Sequence, residues 1–125
     1  MERRTRHTFS QRERLKRSRD FRRCIRRGGR AAGKHLVVYL ARNDLGVTRL
    51  GAGSTRRVGK AMARNRQKRL VREAFRLTKH ELPAGVDLVV LPKTPWSGPP
   101  LDDLKRDLID AARRAEAAAD KAAEG

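Results

Sequence analysis

Residues 36–41, Leu-Val-Val-Tyr-Leu-Ala, form a segment with an extended pattern and an apolar side chain at every position. Successive side chains of a strand point to opposite faces, so both faces of this strand would be apolar. A strand of that kind belongs in the interior of a sheet rather than at its edge. Residues 86–91 form a second, largely apolar run that ends before Pro92 and Pro95. The chain must therefore fold around a sheet with a buried centre.

A further strand is predicted between these two runs. Residues 43–46, Asn-Asp-Leu-Gly, have the composition of a turn, and residues 47–55 return as an extended segment. Gly51 and Gly53 lie inside that segment, and glycine within a strand indicates a bulge or the close approach of another part of the chain. A bend at Gly33 would separate a short strand from the long one that follows.

Three segments with helical periodicity surround the strands. The first begins at Ser18, a residue suited to capping a helix, carries Phe21, Cys24 and Ile25 on one side, and stops at Gly28. The second extends from about residue 59 to 82 and the third from about 97 to 118. The apolar positions of the second helix, which we expect to be buried, are Met62, Ala63, Leu70, Val71, Ala74, Phe75 and Leu77.

The resulting order is helix, strand, strand, strand, helix, strand, helix, which predicts an α+β two-layer sandwich. Residues 1–17 have almost no apolar periodicity and are interpreted as a flexible basic arm. Residues 18–116 form one domain in this interpretation. Residues 117–125 carry no large apolar side chain, and we expect them to fray.

Charge is the feature that most restricts function. The formal net charge is +18 in 125 residues, of which residues 1–30 carry +10 and residues 56–79 carry +9, whereas residues 80–125 carry −3. Self-repulsion of this size favours a polyanionic partner. Nineteen of the 23 cations in the two basic blocks are arginine, whose planar fork binds phosphate oxygens in pairs. The sequence therefore predicts a nucleic-acid-binding protein rather than a merely basic one.

The second helix should present the binding surface. At about 100° per residue, five polar or cationic side chains gather opposite a stripe centred on Ala63, Leu70 and Ala74. They are Asn65, Lys68, Arg69, Arg72 and Arg76. Arg64 and Arg66 fall on the two edges of this face, and Arg56 and Arg57 extend it before the helix begins.

The chain lacks the residues that self-contained catalysis or metal binding would require. Its three histidines are scattered, and Cys24, the only cysteine, is interpreted as a small buried apolar residue in a reducing compartment. Asp103, Asp107 and Asp110 share one face of the third helix, but the neighbouring arginines favour a solvated, ion-paired face over a Mg²⁺ site. No apolar run approaches the length of a membrane span.

Two stretches, RLKRSRDFRRCIRRG at 14–28 and RLGAGSTRRVGKAMARNRQKRLVREAFR at 49–76, resemble the protein subunit of bacterial ribonuclease P. The Arg64-Asn65-Arg66 signature, continued by Lys68, Arg69 and Arg72, is the most specific part, and the likeness covers roughly residues 14–112. It implies a mixed sheet with a left-handed crossover, a fold of the ribosomal protein S5 domain 2-like kind, in a cytoplasmic bacterial protein.

The resemblance also implies a function. The catalytic RNA of such an enzyme removes the 5′ leader of precursor tRNA with RNA-bound Mg²⁺, and its protein subunit binds no cofactor of its own and needs no protein partner. The expected RNA-binding residues are Arg56, Arg57, Lys60, Arg64, Asn65, Arg66, Lys68, Arg69 and Arg72. Phe21 and Tyr39 match positions of the cleft that holds the leader, although Ile25 replaces the second aromatic that relatives often carry.

Two alternatives remain open at this level. A ribosomal-type RNA-binding protein without processing activity would have the same charge and fold class. An autonomous nuclease would need catalytic groups that the sequence does not supply.

Overall fold

The computed structural model describes residues 8–124. Three α-helices and four β-strands follow one another along the chain, with short 3-10 turns at Gln11–Glu13 and Lys79–Glu81. In chain order they are α1 (Ser18–Arg27), β1 (Gly29–Ala32), β2 (Leu36–Arg42), β3 (Arg49–Ala52), α2 (Ala61–Thr78), β4 (Val86–Pro92) and α3 (Leu101–Glu124). The predicted element order and the α+β class are confirmed.

The four strands form one mixed sheet in the order β1-β2-β4-β3. β2 pairs antiparallel with both β1 and β4, whereas β3 pairs parallel with β4 and is connected to it through α2. Leu36, Val38 and Leu40 on one face of β2 are fully buried, while Val37 and Tyr39 on its other face are half-buried. The prediction of a central strand at residues 36–41 is therefore confirmed.

The two faces of the sheet are covered differently. α2 and α3 pack on the face that carries Leu36, Val38 and Leu40, and they form the main hydrophobic core with it. α1 packs on the opposite face, where Cys24 and Leu15 form a smaller cluster with Val89 of β4. The sheet and the two long helices make up the two main layers, and α1 covers only part of the remaining face.

The orientation of α2 differs from the predicted one. Val71, Ala74 and Phe75 are fully buried, as expected, but Met62 is 77% exposed, so its predicted burial is wrong. Gln67 is fully buried instead, and no hydrogen-bond partner for its amide lies within residues 8–124. The buried side is rotated by about 60° from the predicted stripe, because α2 packs against both the sheet and α3.

α1 also departs from its predicted pattern. Ser18 is the first residue of the helix and Arg17 is its N-cap, which makes no side-chain capping bond, so the predicted Ser18 cap is wrong. Cys24 is 1% exposed and its Sγ lies 3.4 Å from the carbonyl oxygens of Tyr39 and Asp87, either of which can accept its single proton, so its assignment as a buried residue is confirmed. Ile25 is 41% exposed rather than packed.

The predicted arm contacts the domain where the structure describes it. The Leu15 amide donates to the Leu50 carbonyl at 2.9 Å, and its side chain is buried beneath α1. Phe9 lies edge-on to Phe75, with ring centroids 5.4 Å apart. Residues 1–7 of the predicted arm lie outside the described residues.

The C-terminal helix continues beyond residue 116. α3 extends to Glu124, Ala119 packs against the core, and Arg42 donates to Asp120 at 3.1 Å. The structure therefore differs from the predicted fraying at residues 117–124, where Ala119 closely approaches Gly29 of the first strand. Residue 125 of the predicted tail lies outside the described residues. No helix in the described part of the chain is long and apolar enough to cross a membrane.

Candidate nucleic-acid interface

The N-terminal half of α2 presents an exposed cationic surface, which we call the α2 outer surface. It consists of Asn65, Arg66 and Arg69, which surround a shallow depression of about 200 Å³ together with Met62. Lys60 precedes the helix in an extended conformation, and no acidic residue occupies the first turn. Since the first N–H groups of a helix carry partial positive charge, this end of α2 is suited to phosphate.

A second row of cations, the α2 inner row, consists of Arg64, Lys68 and Arg72. These residues are four positions apart, so they lie along one side of the helix, and all three are half-buried. Arg72 lines a cavity of about 270 Å³, whose other walls include Phe21 of α1 and Gly51 of β3. Arg72 therefore brings the end of the inner row beside β3.

This arrangement changes the predicted binding face in two respects. Lys68 and Arg72, predicted to point outward with Arg69, lie on the inner row and are half-buried, and Arg66, predicted at an edge, is exposed. The rotation of α2 described above is the reason. Arg76 pairs with Glu73, which lowers the pKa of that carboxyl and raises the pKa of the guanidinium, so Arg76 already has an anionic partner.

The remaining predicted cations lie just before α2. Arg56 and Arg57 are exposed in a turn closed by hydrogen bonds of 3.1 Å from the Val58 amide to the Thr55 carbonyl and from the Gly59 amide to the Arg56 carbonyl. The turn links β3 to the helix, so the two arginines extend the cationic region beyond the N-terminus of α2. Lys60 lies between this turn and the first residue of α2.

Phe21 and Tyr39 flank the open part of the sheet face that carries α1. Tyr39 is paired with Val89, and Val89 with Gly51, so these three positions form one row across the sheet. The Phe21 ring lies directly over Gly51, where an added Cβ would be 2.4 Å from its Cζ atom. The close approach predicted for this glycine is therefore confirmed.

The floor of this open region is the next row of side chains. Val37 is paired with Leu91 there, and both are half-buried. The Arg30 guanidinium lies 5.9 Å from the centroid of the Tyr39 ring. An apolar floor next to a row that carries two aromatic side chains, with a guanidinium beside one of them, suits the bases and phosphates of an unpaired strand.

The segment before α1 adds wall residues that were not predicted. Phe9, Arg14 and Leu15 line the cavity that contains Phe21 and Arg72, and the Arg14 guanidinium lies 4.5 Å from the centroid of the Phe9 ring. Lys79 pairs with Glu13 at 2.8 Å and helps to hold the segment in place. Isolated apolar residues in a basic segment, here Phe9 and Leu15, were the available sequence signal.

The comparisons with known proteins agree with these features. The family model described as Ribonuclease P matches residues 9–116. The chain is 35% identical over 102 residues to the ribonuclease P protein component of Pelotomaculum thermopropionicum, which covers 82% of this chain and 91% of that relative. The chain belongs to the ribonuclease P protein family. The matched range exceeds the predicted one and includes the segment that carries Phe9 and Leu15.

Solved structures of the family have the same fold. The Thermotoga maritima ribonuclease P protein superposes with a TM-score of 0.73 at 33% identity, over 82% of this chain and 96% of that one. The Staphylococcus aureus ribonuclease P protein gives a TM-score of 0.72 at 27% identity, over 85% and 97% of the two chains. The resemblance inferred from the sequence is thus confirmed for both family and fold.

The acidic cluster of α3 is structural. Asp103 pairs with Arg106 at 2.8 Å and Asp110 with Arg114 at 3.0 Å, as predicted. The predicted solvated, ion-paired position is wrong for Asp107, which is 8% exposed and accepts three backbone N–H groups at the turn into β2. Among residues 8–124 no group of acidic, histidine or cysteine side chains could hold a metal ion.

Proposed function

We propose that this chain is the RNA-binding subunit of a bacterial ribonuclease P and that it acts in the removal of the 5′ leader from precursor tRNA. Family membership supports the assignment to ribonuclease P. The single structural observation that supports the RNA-binding role is the α2 outer surface, where Arg66 and Arg69 are exposed in the N-terminal half of a helix whose first turn has no acidic residue. In this proposal the partner of that surface is the catalytic RNA.

The cleft between α1, the open sheet face and the α2 inner row would hold the single-stranded leader. Phe21 and Tyr39 would stack on or pack against its bases, and Lys68 and Arg72 would contact its phosphates. Base stacking on aromatic side chains contributes about 1–3 kcal/mol per base. A protein that binds both RNAs raises the affinity of the complex for its substrate, because the second contact becomes intramolecular.

The chemistry of leader removal would belong to the RNA. Mg²⁺ would be bound by the RNA subunit, and the protein would supply positive charge that otherwise comes from additional cations. Each phosphate that an arginine or lysine neutralises releases a counterion. We therefore propose that the protein lowers the Mg²⁺ concentration that cleavage requires. The complex would act in the bacterial cytoplasm with RNA partners alone.

The test is cleavage of precursor tRNA at low Mg²⁺ with a bacterial ribonuclease P RNA, with and without this protein. We expect little cleavage by either component alone and efficient cleavage by both together. Failure to stimulate the RNA would contradict the proposal and favour a ribosomal-type RNA-binding protein. Cleavage by the protein alone would instead indicate an autonomous nuclease.

A further inference from the structure

The outward face of α1 carries four arginines that the proposed sites do not use. Arg19, Arg22, Arg23 and Arg26 have the spacing i, i+3, i+4 and i+7, so they lie on one side of the helix, away from Cys24. All four are exposed, and we call them the α1 arginine face. Because Cys24 is buried against the sheet, the α1 arginine face points away from the sheet.

Acidic residues do not balance this charge. Asp20 is the only acid on α1, and it is half-buried and directed towards Arg49, whose Nη2 atom lies 3.8 Å from its carboxylate. Within residues 8–124 the α1 arginine face has no ion pair. Like charges at these spacings destabilise a helix, and a ten-residue helix has little stability of its own. A polyanion bound to this face would offset that repulsion.

The α1 arginine face is separate from both surfaces of α2, because α1 lies on the opposite face of the sheet from α2 and α3. It is continuous with the leader cleft instead. Phe21 borders the cleft, Ile25 lies one helical turn further along, and Ile25 in turn adjoins Arg22. Ile25 is 41% exposed, so an exposed apolar side chain lies between the cleft and the α1 arginine face.

We propose that the α1 arginine face binds the phosphates of the leader upstream of the nucleotides in the cleft. The strand would leave the cleft past Phe21, cross Ile25 and follow the outside of α1. Arginine suits this role, since its fork pairs with phosphate oxygens independently of base sequence. This inference rests on the proposed function, because it requires a leader in the cleft. The α1 arginine face would therefore strengthen the binding of precursors with long leaders and leave the binding of those with short leaders unchanged.

The test compares two precursor tRNAs that differ only in leader length. Grooves for single strands hold about 4–16 nucleotides, so leaders of about 4 and about 16 nucleotides are suitable. The holoenzyme is assembled with the wild-type protein or with a variant in which Arg19, Arg22, Arg23 and Arg26 are replaced by glutamine, which has a similar helix propensity. The dissociation constant of each precursor is measured across a range of salt concentrations.

The matched control removes the same charge from α3. It replaces Lys105, Arg106, Arg113 and Lys121 by glutamine, four cations of α3, which packs on the opposite face of the sheet from α1. Circular dichroism establishes that both variants are folded, and the affinity of each for the catalytic RNA is measured separately.

We expect the α1 variant to bind the long-leader precursor about tenfold more weakly, in line with four modest exposed charge contacts. Its log–log salt slope should be shallower by roughly 3, since each phosphate of a single strand contributes about 0.7. The short-leader precursor and the α3 variant should be little changed. Equal loss with both leaders, loss in the α3 variant as well, or a loss confined to catalytic-RNA binding would each overturn the inference. The proposed function would still stand if the wild-type protein stimulated cleavage.

Discussion

Replacement of Asp107 by alanine should be among the most destabilising single changes on α3. Oδ1 of Asp107 accepts a hydrogen bond from the Lys34 amide at 2.8 Å, and Oδ2 accepts from the His35 and Leu36 amides at 2.9 Å each. The carboxylate is 8% exposed, and Gly33 lies so close that an added Cβ would be 2.2 Å from Oδ1. α3 is thereby joined to the turn that starts the central strand.

The magnitude follows from these three bonds. A hydrogen bond to a charged group contributes about 1.5–3 kcal/mol, and an amide left unpaired and buried costs about 1–3 kcal/mol. Solvent can reach the Lys34 and His35 amides more readily than the Leu36 amide, so we expect a total loss of about 3–5 kcal/mol. That is a large part of the about 5–15 kcal/mol by which a typical domain is stable.

Urea unfolding followed by circular dichroism measures this loss as a lower midpoint at an unchanged slope. Asp107→Asn keeps one acceptor oxygen and should lose less. Asp110→Ala is the matched control, because it removes an exposed α3 carboxylate whose pair with Arg114 is worth at most about 1 kcal/mol. A loss below about 1 kcal/mol for Asp107→Ala, or one equal to that of the control, would refute the reasoning.

Three further changes test the packing around the interface. Gln67→Leu should raise the free energy of unfolding by about 1–3 kcal/mol, because it removes a fully buried amide without a partner; a decrease in a urea titration would contradict this. Burial raises the pKa of the Cys24 thiol to about 12, so native protein at pH 8 should resist alkylation that unfolded protein undergoes rapidly. Between about pH 9, where the unfolded thiol ionises, and about pH 12, the free energy of unfolding should also fall by about 1.4 kcal/mol per pH unit. Cys24→Ala should lack this pH-dependent component, and rapid alkylation of the native protein would contradict the burial of the thiol. Gly51→Ala should displace the Phe21 ring and weaken leader binding more than catalytic-RNA binding, measured as two dissociation constants, and equal losses would contradict that placement.

Much of the architecture was predictable because it depends on local periodicity. The apolar run at 36–41 specified a central strand, and the glycine at 51 indicated either a bulge or a close approach, of which the structure has the second. The rotation of α2 could not be obtained in this way, since Met62 and Gln67 exchange their expected burial through contacts with α3 and the sheet. Asp107 likewise depends on a turn more than 70 residues away in the sequence.

The candidate site was predictable in residue type more than in direction. The cations predicted for the face and edges of the second helix all lie on α2, whereas Lys60 precedes it. Periodicity locates a helix face only to within tens of degrees, so the roles of Arg66 and Lys68 at edge and centre were exchanged. The wall formed by Phe9 and Arg14 depends on long-range packing of a segment that lacks periodicity of its own.

The affinity of the catalytic RNA for the α2 outer surface tests the central claim most directly. The dissociation constant of a bacterial ribonuclease P RNA is measured for the wild-type protein, for Arg66→Gln/Arg69→Gln, and for the α3 control Lys105→Gln/Arg106→Gln, which removes the same charge. We predict a loss of about tenfold or more for the α2 variant, a log–log salt slope shallower by roughly 1.5, and no comparable change for the control. Equal affinities for the three folded proteins would contradict the assignment of α2 as the surface that binds the catalytic RNA.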